Sequence, residues 1–248
     1  MPQLVLHTSD VAPASPNRNV RLLDNPIWNA LAIEQRELAL GADLARRFPA
    51  GIGPLSGLIE QIDAAYEALR SLTAPDGVAA LFLEEPPVPR QSWSLVRGGL
   101  MSQMIWSGSN DLSTTALHTQ AALRILTPAD VPAMLELAHL TEPGPFGPRT
   151  SELGNFFGIF EAGRLMAMAG QRLHIPGFTE VSAVCTHPDA RGQGYARALM
   201  SEVIADILSR GETPFLHVFA DNHPAIRVYE SLGFSWRRGL HLAVLRPV

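Results

Sequence analysis

Val181-Ser182-Ala183-Val184-Cys185-Thr186, followed after a short connection by Arg191-Gly192-Gln193-Gly194-Tyr195-Ala196, is the stretch on which the fold turns. The first run reads as a strand. Directly after the glycines, Ala196, Leu199, Met200, Val203, Ile204, Ile207 and Leu208 recur at helical spacing, with Arg197, Glu202, Asp206 and Arg210 off that stripe and Gly211 as the stop. A strand, a glycine turn and a helix start together form an anion cradle. Glycines let the backbone approach a ligand closely, and the first helical amides are unpaired donors at the positive end of the helix dipole. Such a site suits a pyrophosphate. The common alternatives fail on spacing, because no G-x-x-x-x-G-K-[ST] occurs and Gly51, Gly53 and Gly57 do not form G-x-G-x-x-G.

The spacing Arg191-x-x-Gly194-x-Ala196 resembles the acyl-CoA signature R/Q-x-x-G-x-G/A of the GNAT N-acetyltransferases. The resemblance continues upstream through Val181 to Pro188. Downstream it runs through Phe215-Leu216-His217-Val218-Phe219 and through Asn222 to Tyr229-Glu230-Ser231-Leu232-Gly233-Phe234, a pattern similar to the FR47-like branch. It covers roughly the C-terminal half. It implies an α/β (α+β) acyl-CoA N-acyltransferase fold, acetyl-CoA as acyl donor, and direct transfer to a primary amine of a small molecule, amino acid or peptide. A non-catalytic acyl-CoA-binding sensor or assembly module is the alternative.

The chain of 248 residues has a formal charge of -5, which argues against a nucleic-acid partner. All 19 Lys+Arg residues are arginine, so Schiff-base lysine chemistry is excluded by residue type. With Cys185 as the only cysteine, no intrachain disulfide or multi-thiolate zinc site can form. His174, His187, His217, His223 and His241 show no metal-binding spacing, and no metal is assigned. Neither a leader-like Met1 to Asp10 nor a membrane-length apolar run is read, so a cytoplasmic protein without a membrane partner is expected. A homodimer is compatible with this reading.

The polar stretch Ser107 to Thr115 is the linker candidate. It divides an N-terminal α/β lobe, 1–115, a degenerate GNAT-like repeat or an unrelated cap, from the acetyltransferase domain, 116–248. In the first lobe the pattern predicts helices from about Asp24 to Phe48 and from Leu55 to Leu72, then strands at Val78–Leu83, Trp93–Val96 and Met101–Trp106. In the second, Leu123–Leu126 reads as a strand and Thr127-Pro128-Ala129-Asp130 as a cap ahead of a helix, Val131 to Leu140. Phe156–Phe160 and Leu165–Leu173 flank a hairpin turn at Glu161-Ala162-Gly163-Arg164. The resemblance puts the acceptor beside the Pro- and Gly-rich loop Thr141 to Arg149, with contacts from Thr141–Ser151, His174–Phe178 and the first lobe.

Acyl transfer needs an unprotonated amine, stabilisation of an oxyanion and a proton for the leaving thiolate. By resemblance, main-chain groups of Val184, Cys185 and Thr186 meet the acyl carbonyl or pantetheine arm. Arg191, Gly192, Gln193, Gly194, Tyr195 and Ala196 hold the pyrophosphate, and Asn222 and Ala225 complete the cofactor site. Tyr229, on a helix ending at Gly233, is the candidate acid, with a packed core tyrosine as the competing reading. Glu180 is the candidate base, expected to have its pKa raised by burial, and an exposed strand-edge charge is the alternative. His217 is either a second base or a satisfied core imidazole. Cys185 lies in an apolar strand without an adjacent base and is expected to be inert.

Overall fold

A computed structural model describes residues 19–108 and 121–248. The expected boundary at 115/116 and the reading of Met1 to Asp10 lie outside the described residues. The first half holds α1 (Pro26–Ala32), β1 (Leu40–Ala42), β2 (Ala45–Arg47), β3 (Ser56–Leu58), α2 (Asp63–Leu72), β4 (Ala79–Leu83) and β5 (Trp93–Trp106). The second holds β6 (Ala122–Ile125), α3 (Val131–Thr141), β7 (Phe156–Glu161), β8 (Arg164–Ile175), β9 (Phe178–Thr186), α4 (Tyr195–Ser209), β10 (Thr213–Phe219), α5 (His223–Ser231) and β11 (Phe234–Pro247). Among the described residues no helix is long and apolar enough to cross a membrane.

Eight strands form one mixed sheet in the order β4-β11-β5-β10-β9-β8-β7-β6, an α/β architecture. Strand β5 of the first half therefore lies between β10 and β11 of the second. It pairs with β11 along its whole length, from Trp93↔Pro247 to Trp106↔Phe234, and with β10 from Met101↔Phe219 to Ile105↔Phe215. The two short strands expected on either side of Gly98-Gly99 are one strand for this reason. Both residues of the hairpin turn between β7 and β8 have positive φ, Ala162 at 46° and Gly163 at 81°, the conformation that matches the strand twist. Thr127 and Asp130 form a capping box before α3, as the sequence indicates.

The first lobe departs from the expected helices. The helix predicted to reach Phe48 ends at Ala32, and the chain turns back as the hairpin β1–β2. Gln35, 5% exposed, leaves the helix to bind the backbone of β8. Its Nε2 donates to the Arg172 carbonyl at 2.8 Å, and its Oε1 accepts from the His174 amide at 3.2 Å. The helix predicted from Leu55 starts only at Asp63, because Ser56–Leu58 pair with β2. Gly57 permits this packing, since a β-carbon there would stand 2.5 Å from the Trp28 backbone.

Side chains divide between the two faces of the sheet. Leu199, Met200, Val203, Ile204 and Ile207 of α4 pack against Met104, Val181, Leu216 and Val218. On the opposite face Ile27 and Leu31 of α1 meet Phe82, Leu173, Phe178 and Phe215. Helix α3 covers Phe156, Met168 and Cys185. Each such buried side chain contributes roughly 1.5–3 kcal/mol, so both layers hold the central strands in place. Alternation along β10 thus sends Leu216 and Val218 toward α4 and Phe215 toward α1.

Candidate active site

Strands β9 and β10 run parallel and pair at Phe178↔Thr213, Thr179↔Pro214 and Glu180↔Phe215, and the ladder stops there. Beyond this point Val181–Thr186 and Leu216–Phe219 part and border a cavity of about 430 Å³. Strand β9 also bulges. Gly170 pairs with Ser182 and Met168 with Cys185, so Ala183 and Val184 have no partner in β8, and Ala183 takes φ 52°. A bulge of this kind re-aims the backbone and frees main-chain polar groups beside the cleft.

The loop after β9 leads from this opening to α4. Gly192 and Gly194 have φ of 80° and 79°, a conformation that glycine enters without the β-carbon penalty. Gly194 is the N-cap of the fifteen-residue α4, and no side chain caps that end. The first amides of α4 remain free of intrahelical partners. Arg191 borders the cavity, whereas Gln193 and Ala196 are half-buried beside it. The Tyr195 side chain turns into the core, 2% exposed, and its hydroxyl donates to Glu161, which leaves only its backbone for a ligand.

On the other side of the opening, Asn222 caps α5 and borders the cavity. Its Oδ1 accepts from the Ala225 amide at 3.3 Å. That amide is thereby occupied by the cap. Tyr229 reaches the cavity wall from α5 and meets Phe234 edge-on, with ring centroids 6.3 Å apart. Burial pushes its hydroxyl up to about 12. Among the described residues the Tyr229 hydroxyl has no hydrogen-bond partner.

Glu180 stands behind the cavity wall, fully buried, rather than in it. Arg172 grips it with two hydrogen bonds, Nε to Oε2 at 2.8 Å and Nη2 to Oε1 at 2.7 Å. His217 Nδ1 lies 2.6 Å from Oε1. Burial by itself would raise the carboxyl, but the Arg172 charge, its bidentate contact and the His217 hydrogen bond outweigh burial and bring it down to about 2. The expected rise is corrected accordingly, and the strand-edge alternative fails with it.

The protonation of His217 follows from its neighbours. Arg237 Nη1 donates to Gln103 Oε1 at 2.6 Å, which fixes the amide with Nε2 toward His217 Nε2, 3.0 Å away, and toward the Leu23 carbonyl, 2.8 Å away. His217 Nε2 is then an acceptor, and Nδ1–H donates to Glu180. Burial lowers the imidazole pKa against the pull of Glu180, and the Arg172 and Arg237 charges add to the lowering, so the ring is neutral. Phe82 covers it at 4.5 Å. His217 is thus a buried imidazole with both ring nitrogens engaged, standing at the cavity wall.

Cys185 is 6% exposed, and burial pushes its thiol up to about 11. A protonated, buried thiol is a poor nucleophile, which agrees with the sequence expectation.

The FR47-like protein family model matches residues 156–241. A solved structure of a GNAT-family protein from Novosphingobium aromaticivorans is 38% identical, with a TM-score of 0.83, over 91% of this chain and 98% of that one. The chain belongs to the GNAT family of acetyltransferases. The ribosomal protein bS18-alanine N-acetyltransferase of Escherichia coli K12 is 31% identical over 116 residues, 44% of this GNAT chain and 78% of that protein. A mycothiol acetyltransferase of Actinosynnema mirum is 34% identical over 93 residues, 37% of this chain and 31% of its own length. The match thus spans about a third of that relative.

In this GNAT protein the cavity gathers Val184, Cys185, Thr186, Arg191, Asn222 and Tyr229, with Gly192–Ala196 following Arg191 along the loop. Its wall also includes Leu55, Ala80, Phe82, Arg97 and Met101 of the first half, Thr141–Pro145 and Arg172. His174–Phe178, expected near the acceptor, do not border it. Sequence reasoning missed Arg172 and Gln103. A faint signal existed for Arg172, a charge inside the apolar run Leu165–Leu173 and eight positions before Glu180 across a hairpin. None existed for Gln103, whose partner Arg237 lies 134 positions away.

Proposed function

We propose that this chain moves an acetyl group from acetyl-CoA to a primary amine of a small molecule, amino acid or peptide by direct attack, without an acyl-enzyme. The observation that carries this reading is the parting of β9 and β10 next to an uncapped, glycine-led helix start, both opening on the cavity that Tyr229 borders. The residues present suit the donor: free amides and the dipole of α4 favour a pyrophosphate, Arg191 adds a cation, and the open wedge accepts a narrow arm between the strands. Main-chain groups at the Ala183–Val184 bulge face the acyl carbonyl, where donors stabilise developing oxyanion charge. Tyr229 holds the proton for the leaving sulfur.

Glu180 acts in this reading as a positioning residue. A carboxyl held near 2 has little affinity for an amine's proton, so its part is to hold Arg172 in the cavity wall. The relatives named for mycothiol and for a ribosomal-protein alanine indicate that an acceptor panel needs both small amines and peptide N-termini.

Thiol release from acetyl-CoA across that panel tests the proposal. Amine-dependent release supports it, whereas acetyl-CoA binding without turnover on any acceptor favours a sensor. Cys185→Ala is expected to keep at least about half of the wild-type turnover, because direct transfer uses no thiol. A burst of acyl-enzyme in quenched-flow experiments would contradict that expectation.

A further inference from the structure

With Glu180 committed to Arg172 and His217, the cavity wall holds one carboxylate among the described residues, that of Glu142. This glutamate terminates α3 in the left-handed conformation, φ 47° and ψ 54°, a position that helices ordinarily give to glycine or asparagine. Its amide donates to the Ala138 carbonyl at 2.8 Å, which holds the residue in place against the cost of that conformation. The carboxylate itself is exposed and has no ion-pair partner among the described residues.

Its surroundings favour a cation. The last carbonyls of α3 form the negative end of the helix dipole, and an ammonium beside them is stabilised. The preceding residue ties this end of α3 to the cavity. The Thr141 hydroxyl donates to the Leu137 carbonyl at 2.6 Å, and Thr141 and Cys185 both border the cavity, next to the bulge at Ala183–Val184. Glu142 therefore borders the same cavity as the β9 segment that, in the acetyl-transfer reading, meets the acyl group.

We propose that Glu142 receives the protonated amine of the acceptor. The inference rests on the acetyl-transfer reading. The carboxylate attracts the ammonium and passes one of its protons to the water that its exposed position touches. The freed lone pair forms the N–C bond to the thioester carbonyl, the C–S bond breaks, and the sulfur takes the Tyr229 proton. The nitrogen's surplus proton restores Tyr229. Amide and free thiol result, with one proton released to solvent.

The test compares kcat/KM for alkylamines with that for methoxyamine, a nucleophile already neutral at assay pH, in wild type, Glu142→Gln and Glu142→Asp at saturating acetyl-CoA. Glu142→Gln is expected to lose roughly a hundred-fold on alkylamines and less than about threefold on methoxyamine, with partial recovery in the aspartate variant and an unchanged KM for acetyl-CoA. Equal losses on both nucleophiles, or no loss on alkylamines, overturn the role of Glu142. A wild-type protein that releases no thiol with any amine instead overturns the acetyl-transfer reading, and the role with it, before a variant is made. Circular dichroism on each variant separates misfolding from either outcome.

Discussion

Tyr229→Phe is expected to lower turnover by roughly ten- to ten-thousand-fold while acetyl-CoA affinity stays nearly constant. The residue borders the cavity from α5, on the side of the sheet where α4 packs, and its hydroxyl is free of protein partners among the described residues. Burial that pushes the phenol up to about 12 keeps it protonated at every working pH. A thiol of ordinary pKa near ~8.5 is a weaker base than the resulting phenolate, so full donation in water is uphill. The same apolar surroundings desolvate the leaving thiolate and raise its own pKa, which narrows the gap at the moment of cleavage. The phenylalanine variant keeps the ring contact with Phe234 and removes only the oxygen. Pre-steady-state turnover and calorimetric acetyl-CoA binding separate the two effects, and unchanged turnover removes Tyr229 from the mechanism.

Glu180→Gln is expected to destabilise the fold by about 3–5 kcal/mol, the usual cost of leaving one member of a buried ion pair uncompensated. Arg172 is 13% exposed at its side chain and gives both hydrogen bonds to this one carboxylate, so the amide variant strands a guanidinium in the sheet. For a chain of this length the loss corresponds to a fall in Tm of roughly 6–20 °C. The pH dependence has a definite sign. The folded carboxyl, near 2, lies below its ordinary 4.5, so its contribution is fully present above 4.5 and is lost as the pH falls from there toward 2. Denaturant midpoints measured across that window should slope more steeply in wild type than in Glu180→Gln. Parallel slopes would show that the carboxylate is not what Arg172 depends on. A general base at this position predicts the opposite pattern, intact stability with lost turnover.

Much of the second half was legible because its signals are local. The apolar stripe of α4 falls at helical spacing from Ala196 onward, and the observed helix begins one residue earlier. The turn at Ala162-Gly163 and the capping box at Thr127 and Asp130 are set by residues within a few positions of one another. The first half reads less well for the same reason reversed. Gln35 leaves its helix for partners more than a hundred positions away, and Ser56–Leu58 become a strand only because β2 lies alongside.

The candidate site divides similarly. Gly192, Gly194 and Arg191 follow from their own spacing, and Tyr229 from the resemblance that runs through Asn222 to Phe234. The fate of Glu180 does not, because the same carboxyl rises or falls in pKa according to which charges surround it.

Taken alone, the sequence determined the glycine-led helix start, the hairpin turn at Ala162-Gly163 and the identity of the side chains able to carry protons. Tertiary structure alone decided that β5 enters the sheet between β10 and β11, that Arg172 and His217 converge on Glu180, and that Glu142 is the carboxylate left bordering the cavity among the described residues. Helix periods and turns are fixed by neighbours along the chain, whereas strand partners and buried charges are fixed by groups that only folding brings together.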